Sequence, residues 1–256
     1  MSTVSSKSWD RYLKALRKIS EKATEEMKAK IEKTGTDSKE KLEELVRYAY
    51  ALATKYGETA AVLAAEMYDA LAILSGKIVA PAVPAATATF GDAARAVYGT
   101  NLISSDPEVM AASVGRLTKM AGADTMLKNA IRDGAQYAWI PRGDTCAFCL
   151  QLASYGWQDA SRKALKGDHA EHIHANCDCT YAIRFSDDLE VEGYDYKEYE
   201  QMFKDAEGPT VKEKRNALRR KFYAENSEEI REQQRSAYAK RKELNSSKAE
   251  EINVGD

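Results

Sequence analysis

The sequence predicts a mainly helical α+β protein in three parts. Residues 1–135 form a helical region, 136–190 a small zinc-stabilised α+β module, and 191–256 a charged helical tail with a disordered end. Three observations carry this. Apolar residues recur at three- and four-residue spacing through the first part. The pattern changes character at QYAWIPRGDTC. All four cysteines and all three histidines fall between residues 146 and 179.

The first helix is predicted over about 8 to 34, with Tyr12, Leu16, Ile19, Ala23, Met27 and Ile31 on one face. Gly35 and TGTDS break it, and the Ser38 hydroxyl caps the next helix. That second helix carries Leu42, Leu45, Val46, Ala49, Leu52 and Ala53 and is expected to end at Gly57. A third, alanine-rich helix over about 59 to 75 bears Val62, Met67, Leu71 and Leu74. It is apolar nearly all round, which predicts the centre of a bundle.

Pro81 and Pro84 in IVAPAVPAAT exclude helix interior and predict an extended connector. Shorter helices follow near 90–98 and 107–121, the second opened by Asp106 and Pro107, and ADTMLKNAIRDGA reads as a further turn. Trp139 and Ile140 predict a short strand, Pro141 to Asp144 a turn, and TYAIRF a closing strand. A long polar helix starts near Val211, too sparse in apolar residues to bury a wide face, so it is expected to protrude or meet a partner. NSSKAEEINVGD is expected to be disordered.

Composition excludes several classes. With 256 residues, 44% hydrophobic, the chain supports a sizeable core, while 30% charged residues and a negative mean hydropathy argue against a membrane protein. MSTVSSKSWDRYLKAL lacks a secretory layout. A net charge of −2 argues against whole-surface polyanion binding. The inferred compartment is a reducing cytoplasm, which favours thiols over disulfides.

Cys146 and Cys149 form a CxxC pair, and His174, Cys177 and Cys179 form HxxCxC. A CxxC turn presents two thiolates at the separation a tetrahedral zinc accepts, and the second turn supplies the rest. Cys146, Cys149, His174 and Cys177 are the preferred set. Cys179 replacing His174 gives four cysteines, and a third option uses Cys177 and Cys179 with His172 displaced. Cys-rich ligation fills every position and no HExxH occurs, so the zinc reads as structural and the chain as no enzyme. Ligation can add on the order of 10 kcal/mol of folding free energy to a core-poor module. Trp139, Ile140, Phe148, Leu150, Leu152, Trp157, Ile183 and Phe185 would close around it.

YAWIPRGDTCAFCLQLASYGW and HIHANCDCTYAIRF together resemble the Mu F-like minor head proteins of tailed phages and prophages. The match covers about 50 residues, through Cys146, Cys149, Leu152, Ala153, Ser154, His174, Cys177 and Cys179, with weaker likeness in EEIREQQRSAYAKRKE. The resemblance implies a low-copy virion component, present in the host cytoplasm during assembly, that meets portal or capsid proteins. It also implies a part in head assembly or DNA packaging and delivery.

Two rivals stand beside it. A zinc-stabilised nuclease or toxin would use His169 or His172 to activate water. A nucleic-acid-binding module would use Lys212, Lys214, Arg215, Arg219 and Arg220 on phosphates, against which a solvated helix of mixed charge is the simpler reading.

Overall fold

The computed structural model describes residues 2–104, 106–141, 146–161, 179–187 and 189–225, with 227–228, 231–232 and 235. Four long helices make the frame: α1 (Ser6–Thr34), α2 (Lys39–Leu74), α3 (Phe90–Ile103) and α4 (Pro107–Asp133). Their ends follow local chemistry. Ser5, Ser38, Thr89 and Asp106 each accept a backbone N–H of the first turn, and Pro107 opens α4 where a missing N–H costs nothing. Gly134, left-handed at φ 64°, closes α4.

Two expected breaks are absent. The second and third predicted helices are one, because α2 runs unbroken through Gly57. A Cβ at Gly57 would stand 3.0 Å from the Thr87 methyl, so this glycine admits the connector to the helix surface and does not stop the helix. Likewise the predicted turn after residue 121 is the second half of α4, and α3 reaches Ile103. Within α4, a Cβ at Gly115 would fall 2.1 Å from Thr24 Oγ1, so it is α1 that needs the missing side chain.

The extended connector between α2 and α3 is held by side chains. The Ala82 N–H donates to Asp69 Oδ1 at 2.8 Å, and the Ala85 N–H to Thr125 Oγ1 at 2.9 Å. Asn129 takes the Val83 N–H and donates to its carbonyl, both at 2.9 Å. Arg132 donates to the carbonyls of Ala80 and Pro81. Backbone groups that no ladder could pair are thus satisfied from α2 and α4.

A three-stranded antiparallel sheet, order β3-β2-β4, lies against this frame: β2 (Gln136–Ile140), β3 (Gln158–Asp159) and β4 (Thr180–Arg184). Pairing runs from Gln136↔Arg184 to Ile140↔Thr180. The N-terminal β1 (Ser2–Val4) pairs in parallel with β5 (Leu189–Val191). α5 (Ala147–Ala153), α6 (Tyr196–Asp205) and α7 (Val211–Glu225) pack beyond the sheet.

Buried apolar residues form two clusters. One lies among the four long helices around Met27, Leu45, Ala49, Val97 and Val114. The other joins Trp9, Tyr68, Leu71, Met126 and Leu127 to Trp139, Cys149, Tyr181, Ile183 and Leu189. It crosses the 135/136 boundary drawn from the sequence, so the sheet segment shares its core with the helices. Leu150, expected in that core, is half-buried outside the cluster. No described helix is long and apolar enough to cross a membrane.

Candidate functional site

Cross-strand register positions the cysteines. Thr180 stands opposite Ile140, so Cys179 precedes β4 at the end of the sheet where β2 leaves toward Cys146. Cys149 is 1% exposed and Cys179 4%, both within the cluster around Trp139 and Tyr181, and the half-buried Cys146 packs against it. No disulfide joins these three to one another. His174 and Cys177, with His169 and His172, lie outside the described residues. Among the described residues, no three His, Cys, Asp or Glu side chains are grouped to hold a metal, so Cys146, Cys149 and Cys179 are not by themselves a ligand set.

The CxxC segment is not the tight turn expected. Cys146 is the N-cap of α5 and Cys149 lies in its first turn. The spacing of Cys149, Leu152 and Ala153, all buried, already marks a helix face toward the core.

Trp139 and Tyr181 face each other across β2 and β4, ring centroids 4.7 Å apart and edge to face. The Trp139 Nε1–H, the Tyr181 hydroxyl and Gln151 Oε1 are buried with no hydrogen-bond partner among the described residues. Burial, followed by Tyr137, Asp124 and Cys149, pushes the Tyr181 hydroxyl well above the usual tyrosine range. An unsatisfied buried donor or acceptor costs about 1–3 kcal/mol, so three such atoms, two donors and one acceptor, need a physical reason. The sequence marked Trp139 as core and gave no sign of this pairing with Tyr181, which depends on register.

The five cations of the tail divide. Lys214 Nζ donates to the carbonyls of Phe203 at 3.3 Å, Lys204 at 2.5 Å and Ala206 at 3.1 Å, closing the C-terminal end of α6. Arg215 lies over the Phe148 ring at 5.9 Å, and Leu218 is 8% exposed. Lys212, Arg219 and Arg220 stay exposed, Arg219 over Tyr223 at 5.6 Å. α7 therefore docks on α5 and α6 instead of protruding, because Lys214, Arg215 and Leu218 share one side of it. Thr210 and Glu213 box its start, the Thr210 hydroxyl holding the Glu213 carboxyl below its ordinary value. The tail beyond Glu225, apart from five residues, and the expected disordered end lie outside the described residues.

A second row of cations was not singled out from the sequence, although its spacing is legible there. Lys7, Arg11, Lys14 and Lys18 recur along the exposed side of α1.

A family model described as VG15 protein matches residues 3–206. The chain belongs to the VG15 protein family. This is a viral gene-product family. The VG15 match runs from β1 through α6, so it takes in both apolar clusters and the cysteine corner and leaves α7 outside. No curated protein and no solved structure matches the chain.

Proposed function

We propose that this VG15-family chain is a structural head component of a phage or prophage. In this reading it is a minor capsid protein of the Mu F-like kind, portal-associated, serving head assembly or DNA packaging and delivery, with one structural zinc. The reading rests on a viral family over residues 3–206, on the motif resemblance, and above all on the Ile140↔Thr180 pairing. That pairing draws the CxxC helix and Cys179 to one end of a small sheet.

The donor chemistry fits zinc. Thiols from two segments share one buried cluster, which also holds the Trp139 N–H and the Tyr181 O–H, donors that thiolates could accept from. Cys146 and Cys149 would supply two ligands, and His174 with Cys177, or Cys179 in place of His174, the others. Zinc supplies a cross-link there, and the chain's own part is to hold the two segments at fixed separation. The role is structural, with no catalytic residue. α7, with Lys214 and Arg215 turned inward, serves as a contact for portal or capsid protein in preference to DNA.

Two measurements test this. Elemental analysis of the purified full chain is expected to give one zinc per chain, lost together with thermal stability in Cys146→Ser, and a metal-free folded protein would defeat the zinc claim. Mass spectrometry of purified particles should find the chain in heads, and DNA-filled heads assembled normally without the gene product would remove the head role. His169→Ala and His172→Ala should leave both results intact; loss of a measured nuclease activity in either would favour the enzyme instead.

A further inference from the structure

α1 is amphipathic in an unusual sense: its inner side is core, and the outer side of its first half is almost purely cationic. Trp9 and Tyr12 are buried at 0% and 5% exposure, with Leu13 and Leu16 packed against the same cluster. On the other side Lys7, Arg11, Lys14 and Lys18 are all exposed. Their i, i+4, i+7, i+11 spacing puts them in one row of about 16 Å on a straight helix.

None of the four meets a carboxylate within ion-pair distance among the described residues. Five lysines further along do pair. Lys28 pairs with Glu108, Lys30 with Glu44, Lys39 with Glu43, Lys41 with Asp37 and Lys55 with Glu26. From Ser6 to Ser20 the helix holds five basic residues and one acid, Asp10, in a chain whose net charge is −2. Positive charge outweighs negative on this face, where Asp10 is the one acid among the four cations, and such an excess is what a polyanion would complement.

We propose that the outer face of α1 binds the phosphate backbone of duplex DNA. The aromatic residues of this half-helix, Trp9 and Tyr12, are turned into the core, so the face has no platform on which unpaired bases would stack, as single-strand binding requires. It offers a rigid row of point charges, suited to regularly spaced phosphates, with no base-reading group. The proposal stands on α1 alone and is independent of zinc and of the head-assembly reading.

The test is titration of the full chain with a short fluorescent duplex of mixed sequence at several salt concentrations. Binding should weaken steeply with salt and show no sequence preference. The quadruple variant Lys7→Gln, Arg11→Gln, Lys14→Gln, Lys18→Gln should flatten the slope of log K against log salt by about 3.6, each lost phosphate contact removing about 0.9. Its thermal midpoint should match the parent, since the four side chains make no tertiary contact that folding needs. A Lys212→Gln, Arg219→Gln, Arg220→Gln variant should keep the parental slope. The proposal is overturned if the parent fails to bind duplex. It is also overturned if the slope follows the α7 variant, or if a single strand of the same length binds more tightly.

Discussion

In the four-helix frame most element ends are closed by near neighbours in sequence, whereas the cysteine corner is assembled from segments far apart in the chain. Ser38 caps the helix it precedes, and Asp106 with Pro107 opens α4. The corner instead needs β2, β4 and α5 with the start of α1, and it leaves Trp139, Gln151 and Tyr181 with unpartnered polar atoms. Polar groups within the frame are better served: Asn129, 3% exposed, bonds to both backbone groups of Val83 and to the Thr125 carbonyl. Both regions gather polar groups over long range, as Asn129 with Val83 shows, and they differ in how many are served: Trp9 Nε1 on α1 and three atoms of the corner have no partner among the described residues.

The largest test asks whether the two regions are energetically one. Leu45→Ala, in the frame, and Ile183→Ala, in the corner, remove side chains that are 0% exposed. Each should cost about 2–5 kcal/mol in urea unfolding. Because α1, α2 and α4 contribute to both clusters, each variant should move one shared transition. Two separate transitions, with only one displaced, would divide the regions into independent units.

A smaller effect has a diagnostic sign. If Gly57 were a helix stop, Gly57→Ala would stabilise by about 0.5–1 kcal/mol through better helix propensity. With Thr87 lying where the new methyl must go, the change should instead destabilise by about 1–3 kcal/mol. A rise in the unfolding midpoint would refute the close approach of connector and helix.

The smallest expected effects sharpen the contrast between served and unserved hydroxyls. Tyr68 donates to Asp133 at 2.8 Å, so Tyr68→Phe should cost about 1 kcal/mol. Tyr181→Phe removes a hydroxyl with no acceptor and should be neutral or slightly stabilising in metal-free protein. Equal losses would erase the distinction. Arg132 first, and then the Tyr68 bond, hold the Asp133 carboxyl below its ordinary value. The stability linked to this lowered carboxyl is therefore present above the ordinary carboxylate pKa and is lost as pH falls through the folded value. Tyr68→Phe should shrink the acid-side loss in a pH series of unfolding midpoints.

The sequence by itself determined the starts of α1, α2, α4 and α7, the extended proline connector and the two strands at Trp139 and TYAIRF. Each of these follows from spacing, capping or a missing N–H, which act within a few residues. It also held the cationic row of α1 and the helical period of Cys149, Leu152 and Ala153, although metal-ligand spacing drew attention away from the latter. Only the tertiary structure decided that Gly57 and Gly122 lie inside helices, and that Gly115, already within a predicted helix, is the point of contact with α1, because their neighbours, such as Thr87, Thr24 and Ala60, come from other elements. The same holds for the parallel pairing of β1 with β5, the meeting of Trp139 with Tyr181, and the docking of α7 through Lys214, Arg215 and Leu218. The physical reason is common to all of these. A side chain's local pattern says which face is apolar or charged, but what that face meets is set by chain closure over tens to hundreds of residues, and no local spacing encodes it.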